Sequence, residues 1–186
     1  MLTRAIRVGT TLPMARGQMA RLTRILVTTA LAFALAPAAS AMACANTDLV
    51  PTGDNLRQVR VAVLCLHNQE RTAHGLRKLK PNKKLRRAAE GHSDHMVRAS
   101  VFEHGDLTGR IRGVGYHGWT YGENIAWGTG HLATAGEIHR AWIASPGHRA
   151  NILRRQFREI GIGIALGAAT AGPDGATYTA DFGARR

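Results

Sequence analysis

Apolar residues recur along the chain with a helical period in its first two thirds. Apolar positions follow helical spacing over residues 55–74, and Gly75 is a suitable stop. Pro81 and Asn82 introduce a second stretch of this kind, which carries Leu85, Ala88, Ala89, His92, Met96 and Ala99 along one side. A third helix is predicted over residues 133–144, ended by Ser145-Pro146-Gly147, with one more turn near residues 150–153.

The last quarter of the chain changes to a strand pattern. Residues 160–165 alternate Ile with small residues, which is typical of a strand that packs closely on one face. Residues 172–175, Gly-Pro-Asp-Gly, predict a turn, and residues 177–182 supply a partner strand. The Gly-rich stretch 105–130 is predicted to be irregular, apart from a short apolar run around Ile125. Helices followed by a hairpin predict an α+β fold.

The N-terminus has the layout of a secretory signal peptide. A basic leader without acidic residues is followed by an apolar run over residues 25–36 and by small residues that end in Ala43. The run is shorter than the roughly 20 residues that span a bilayer. We therefore expect residues 1–43 to be removed on export, giving a secreted, extracellular or periplasmic protein; the alternative is a retained N-terminal anchor.

Composition and charge narrow the class of protein. An apolar content of 45% excludes a disordered chain, and one apolar stretch excludes a multi-span membrane protein. Cleavage would lower the formal charge from +13 to +8, because it removes five arginines and no acidic residue. This charge favours anionic surfaces. Apart from a cluster at residues 78–87, the basic residues are scattered, and no aromatic side chains interleave with them, so we expect no nucleic-acid partner.

The two cysteines, Cys44 and Cys65, are most simply interpreted as one disulfide in an exported protein. The bond would tether an N-terminal tail, residues 44–56, to the first helix. Two alternatives remain open: lipidation of Cys44, and a catalytic Cys65 with His67. The second is weak, because side chains two positions apart on a helix point to different faces.

Histidines and acidic residues are the candidates for chemistry. The zinc-protease motif His-Glu-x-x-His and the hydrolase motif Gly-x-Ser-x-Gly are both absent. His92 and His95 stand three apart and could form a metal pair, but a solvent-exposed pair is the favoured interpretation. Three segments place ionisable groups beside glycine, where side chains can converge: Phe102-Glu103-His104-Gly105, Tyr121-Gly122-Glu123-Asn124-Ile125 and Ser145-Pro146-Gly147-His148-Arg149.

These segments belong to an ordered series of motifs that resembles bacterial members of the CAP superfamily. This superfamily comprises the cysteine-rich secretory proteins, antigen 5 and the pathogenesis-related proteins, and its module is also called the SCP domain. The resemblance covers about residues 57–184. The motifs are His67-Asn68-Gln69-Glu70-Arg71, His92-Ser93, Phe102-x-His104, Gly122-Glu123-Asn124-Ile125, Trp142, Ser145-Pro146-Gly147-His148-Arg149-x-Asn151-Ile152-Leu153 and Ile160-Gly161-Ile162-Gly163.

The resemblance implies a three-layer α-β-α sandwich with a central antiparallel sheet, and a cleft that holds a divalent metal in some members. By motif, the metal ligands would be His104, His148 and Glu123, which suit zinc. The chain departs from the eukaryotic pattern because no acidic residue follows Trp142. This departure favours a two-histidine site in which Glu123 positions a histidine or a water.

Three functions fit these residues. The first is a secreted binding module whose cleft takes a metal, a small hydrophobic ligand, a lipid or an envelope component. The second is a metal-assisted hydrolase with Glu123 as base. The third is an envelope protein held on anionic wall polymers by its charge. A purely structural role for the polar cluster competes with ligand binding, with Asn68, Arg71 and Asn124 satisfying buried backbone. We expect a monomer.

Overall fold

The computed structural model describes residues 43–186, which contain five helices and four strands. The helices are α1 (Leu56–Ala73), α2 (Lys83–Ala99), α3 (Leu107–Gly113), α4 (Ala135–Ala144) and α5 (Pro146–Ile152), with a 3-10 turn at Gly130–Ala133 before α4. The strands are β1 (Lys80–Pro81), β2 (Thr120–Gly128), β3 (Glu159–Ala168) and β4 (Gly172–Ala184). Apart from Ala43, the predicted signal peptide lies outside the described residues. No helix in residues 43–186 is long and apolar enough to cross a membrane.

The four strands form one sheet in the order β1-β3-β4-β2. Strand β4 lies antiparallel between β3 and β2, whereas the two-residue β1 pairs parallel with β3. Helices α1, α4 and α5 cover one face of the sheet, and α2 covers the other. The α+β class and the three-layer α-β-α sandwich predicted from the sequence are confirmed, with β1 as a parallel addition to the antiparallel sheet.

The larger part of the core lies between the sheet and helices α1, α4 and α5. The three isoleucines of β3 at positions 160, 162 and 164 face this side, because strand side chains alternate between faces. Trp142 of α4 is buried against them and donates its indole N–H to the carbonyl oxygen of Ile125 at 3.0 Å. Trp142 and Ile152 are core residues, and Leu153 packs against the same cluster.

On the opposite face, α2 approaches the backbone of β3 very closely. A Cβ added to Gly161 would lie 2.0 Å from the backbone of Leu85, and one added to Gly163 would lie 2.2 Å from that of Ala89. Only glycine fits at these two positions. The Asn82 side chain accepts hydrogen bonds from two backbone N–H groups of the first turn of α2 and so caps the helix.

Three local predictions were wrong. The stretch predicted to be irregular contains α3, capped by Asp106, and the whole of β2, because buried polar residues hide the apolar pattern of that strand. Pro146 ends α4 and also begins α5, since proline fits the first position of a helix. The hairpin turn lies at residues 169–171, and the predicted turn 172–175 is the start of β4.

The predicted disulfide between Cys44 and Cys65 is confirmed, with Cα atoms 5.7 Å apart. Both sulfurs are used in the bond, so neither lipidation of Cys44 nor catalysis by Cys65 applies. The tethered tail also contacts α4 directly, because the Gly136 N–H donates to the carbonyl oxygen of Thr47 at 2.8 Å.

Candidate functional site

A buried carboxylate, Glu123 on β2, is the centre of the candidate site. Its side chain is 1% exposed, and one oxygen accepts a hydrogen bond from His104 Nδ1 at 2.7 Å. The other oxygen forms an ion pair with the guanidinium of Arg110 and lies 3.8 Å from His92 Nε2. Three basic side chains therefore surround one buried acid, and both of its oxygens have partners.

The loop between α2 and α3 brings His104 to this carboxylate. Arg110 on α3 donates from Nη1 to the carbonyl oxygen of His104 at 2.6 Å. This bond holds the loop against α3. His92 on α2 contacts the carbonyl oxygen of Glu103 at 2.9 Å through its Nε2. The backbone is thus fixed on both sides of His104, while the His104 side chain stays 56% exposed to solvent.

A second buried acid, Asp181 on β4, lies opposite Glu123 in the antiparallel register. It is completely buried, and neither of its carboxylate oxygens has a hydrogen-bond partner among the described residues. Burial, together with the negative charge of Glu123, raises the pKa of Asp181 well above its ordinary value. This environment therefore favours the uncharged form of Asp181.

His148 reaches the site from the first turn of α5. The Asn124 side chain donates to the carbonyl oxygen of His148 at 2.9 Å, and Asn151 donates to the Asn124 side chain at 2.9 Å. These bonds tie α5 to β2 beside Glu123. Burial and the nearby charge of His104 lower the pKa of His148, which favours a neutral imidazole.

Of the three predicted site residues, the structure joins two, His104 and Glu123, by a direct hydrogen bond. His148 lies within electrostatic reach of His104, without a ring hydrogen bond to any described residue. His92 was predicted to be solvent-exposed with His95; the prediction is wrong for His92, which is buried beside Glu123, and right for His95.

Two further members, Arg110 and Asp181, were missed by the sequence analysis. Arg110 lies in the stretch predicted to be irregular, and no motif in the neighbouring residues identifies it as a site residue. Asp181 carried a usable signal, because Thr177, Thr179 and Asp181 alternate as polar residues in an otherwise buried strand. Such alternation indicates a polar patch on one face of the sheet. The Ser93 hydroxyl of α2 hydrogen-bonds to Thr179 there, at 2.9 Å.

Glu123 is the least available of the three residues that the resemblance offers as metal ligands. Within residues 43–186, no group of three or more His, Cys, Asp or Glu is arranged to hold a metal ion. Glu123 already accepts from His104 and pairs with a cation, so it has no free oxygen for a metal. His104 uses Nδ1 for this bond, which leaves Nε2 of its exposed ring free to bind a ligand.

The polar side chains around the cleft that were predicted to be structural have that role. Asn68 bonds to both the N–H and the carbonyl of Leu79. Arg71 is fully buried and donates to four backbone carbonyl oxygens, those of Arg77, Ile152, Arg154 and Phe157. Asn124 satisfies the backbone of His148, as described above. These bonds hold the loops on which the cleft depends.

Known proteins of similar sequence are bacterial. The Bacillus subtilis protein YkwD is 36% identical over 106 residues, covering 54% of this chain and 40% of its own length. The membrane protein YlbC of the same organism is 32% identical over 109 residues, covering 55% of this chain and 30% of its own length. This chain thus spans less than half the length of either relative.

Solved structures of similar fold come from extracellular or surface proteins. An extracellular SCP-domain protein of Bacillus anthracis superposes with a TM-score of 0.59 at 26% identity, covering 73% of this chain and 44% of that one. An outer surface protein of Borrelia burgdorferi has a TM-score of 0.61 at 15% identity, covering 74% and 100% of the two chains. At that identity the second likeness shows the fold alone.

A family model settles the assignment that the motifs suggested. The model of the cysteine-rich secretory protein family, also called CAP, matches residues 64–182. This match covers well over half of the chain and includes His67, His104, Glu123, His148 and Asp181. The protein is therefore a member of the CAP family.

Proposed function

We propose that this protein is an exported binding module whose cleft holds a divalent metal ion, such as zinc, between His104 and His148. The observation that carries the proposal is the 2.7 Å bond from His104 Nδ1 to Glu123. Histidines that bind metals typically donate their other ring N–H to a carboxylate, which orients the ring and increases the basicity of the ligand nitrogen. His104 has this arrangement, with its free nitrogen on the exposed side.

The protonation of His148 also supports the proposal. A metal binds the neutral imidazole, so a histidine with a lowered pKa loses less affinity to competing protons. His148 has a lowered pKa because of burial and the nearby His104. Two nitrogen ligands leave the remaining positions of a tetrahedral ion to water or to an external anionic ligand.

The surroundings of Glu123 favour binding over hydrolysis. A general base must reach the proton that it removes, usually from a water at hydrogen-bond distance. The Glu123 side chain is 1% exposed, and His104 and Arg110 occupy its two oxygens. It supports His104 and is almost closed to solvent. Export is supported by the leader sequence and by the extracellular location of the structural relatives.

Zinc titration by calorimetry of the purified protein tests this function. We expect saturable binding of one zinc ion, lost in the variant His104→Ala/His148→Ala. The matched control is His117→Ala/His131→Ala, which removes two exposed histidines outside the cleft and should bind zinc like the wild type. Glu123→Gln should weaken binding about 10-fold to 100-fold, as expected for a residue that supports a metal ligand.

Two outcomes would contradict the proposal. One is a wild-type protein that binds no zinc, and the other is an equal loss of binding in the two double variants. Zinc-dependent peptide hydrolysis that is abolished by Glu123→Gln would instead favour the hydrolase alternative, with Glu123 as base.

A further inference from the structure

A second surface, away from the histidine cleft, has a strong excess of positive charge. A groove of about 740 Å³ runs along the end of the sheet where β1, β3 and β4 meet. We call it the basic groove. Its lining contains six basic residues and one acidic residue: Arg77, Lys78, Lys80, Arg158, Glu159, Arg185 and Arg186.

The one acidic residue of the basic groove, Glu159, is already occupied by groups of the protein. Its carboxylate accepts hydrogen bonds from Arg185 at 2.7 and 3.0 Å, from Asn82 at 2.9 Å and from the Tyr116 hydroxyl at 2.8 Å. Although burial alone would raise the pKa of Glu159, these hydrogen bonds lower it. Glu159 therefore balances Arg185 and leaves the other cations of the groove uncompensated.

Three of these cations are free for an external partner. The side chains of Arg77, Lys78 and Lys80 are exposed, and none forms a hydrogen bond or ion pair with another residue in the described part of the chain. Their backbone is nevertheless fixed: Lys80 N–H donates to the carbonyl oxygen of Arg158 at 2.9 Å, and Asn82 N–H donates to that of Ile160 at 2.8 Å. The charges stand on a rigid frame, which reduces the entropy cost of binding.

A buried cation adds to the positive potential beneath the groove. Arg71 is 0% exposed and bonds only to backbone carbonyl oxygens, so no carboxylate neutralises it among residues 43–186. Two of these carbonyls belong to Arg77 and Phe157, which flank the groove. A charge held in low dielectric is screened less than one in water. Arg71 thus fixes the segments that carry the groove and strengthens its field.

The groove continues into a second depression of about 350 Å³. The two cavities share Arg158 and Arg185, and the second adds Arg155 and the exposed indole of Trp119. The two depressions together present seven basic residues, more than one small anion requires. Arginine predominates among them, and its planar fork of donors matches the geometry of phosphate oxygens.

We propose that the basic groove binds a phosphate-bearing polyanion, whose successive phosphate groups pair with Arg77, Lys78 and Lys80 and, in the second depression, with Arg155. The source of the phosphates is a soluble phosphate polymer or the headgroups of an anionic lipid. In either case the groove is a site separate from the histidine cleft. It includes Lys78 and Lys80 of the basic cluster at residues 78–87 and adds basic residues from β3 and the end of the chain.

Calorimetric titration of the purified protein with linear polyphosphate, and sedimentation with phosphatidylglycerol vesicles, tests the proposal. In the groove variant Arg77→Ala/Lys78→Ala/Lys80→Ala, we expect affinity to fall on the order of 100-fold, from about fivefold per cation at an anionic surface. The slope of log affinity against log salt should also decrease by about 2, because three phosphate contacts are lost. The matched control is Arg57→Ala/Arg87→Ala/Arg98→Ala, which removes the same charge from exposed positions of α1 and α2.

Each arm of the experiment has a defined consequence. Groove-dependent binding to polyphosphate supports a soluble polymer as the source, and groove-dependent binding to vesicles alone supports lipid headgroups. Absence of binding in both arms would overturn the proposal, as would equal losses in the groove and control variants. Polyglutamate that bound as tightly as polyphosphate would also overturn it, because carboxylates would then suffice. The groove variant should bind zinc like the wild type, so the two proposals fail independently.

Discussion

Loss of the disulfide between Cys44 and Cys65 should destabilise the protein by a predictable amount. The bond closes a loop with a sequence separation of 21 residues. The chain-entropy relation for a loop of this length gives about 11 cal/mol/K, or about 3 kcal/mol at 25 °C. The contacts of the tail with α4 and the core are non-covalent and remain available in the reduced protein. The free energy of unfolding should therefore fall by the entropic amount.

Urea unfolding of the wild type and of Cys44→Ser/Cys65→Ser measures this difference. The variant should unfold with a free energy lower by about 3 kcal/mol and a Tm lower by about 10 °C, given the usual unfolding entropy of a domain of this size. Reduction of the wild type with a thiol should reproduce the variant, and the same thiol should leave the variant unchanged. These two controls separate the loss of the cross-link from the effect of the serines.

The reasoning would be refuted if the oxidised and reduced proteins agreed in unfolding free energy to within about 1 kcal/mol, because the entropic model requires a larger difference. It would also be refuted if the reduced protein did not fold at all. That result would make the tail part of the folding core rather than a tethered extension.

Three further predictions concern the packing and the buried charges. Gly163→Ala should lower the free energy of unfolding by about 3 kcal/mol, because the new Cβ would lie 2.2 Å from the Ala89 backbone. The control Gly91→Ala, whose Cβ enters open space, should leave that free energy unchanged or increase it. Equal effects of the two substitutions in urea unfolding would contradict this prediction. Arg71→Met should lower the free energy of unfolding by at least about 3 kcal/mol, because it leaves four carbonyl oxygens without their donors. A thermal unfolding curve like that of the wild type would argue against this prediction. Burial lowers the pKa of His67 well below 6.5, so on acidification the unfolded state binds a proton before the folded state does. The free energy of unfolding should therefore fall as the pH drops below 6.5, by up to about 1.4 kcal/mol per pH unit. Unfolding of His67→Gln followed over the same pH range should show a shallower slope, and an unchanged slope would exclude His67 as the cause.

The sequence predicted the fold well where one face of an element carries a regular apolar pattern. Helix α1 lies at its predicted position, and the two long strands contain the predicted residues 160–165 and 177–182 but extend beyond them. Their buried residues repeat with the period of the element. The pattern failed for β2, whose buried positions include Glu123 and Asn124. Tertiary contacts, rather than hydrophobicity, keep those side chains inside, and a single sequence does not display them.

The candidate site was predicted in part for a related reason. His104, Glu123 and His148 were found through family motifs, which mark residues near glycine and proline. His92 and Asp181 join the site only because the register of β2 and β4 and the packing of α2 bring them there. Arg110 depends on the position of α3, which had no apolar pattern to reveal it. Residues that depend on the pairing of distant elements are those that the sequence missed.

The most direct test of the central claim is the NMR signal of the histidine ring nitrogens during zinc titration. The account predicts that zinc shifts the signals of His104 Nε2 and of one ring nitrogen of His148. His104 Nδ1 should stay protonated, because it donates to Glu123 at 2.7 Å with or without the ion. Loss of the Nδ1 proton of His104 on zinc binding, or no shift at either ring, would contradict the assignment of Glu123 as the support of a two-histidine site.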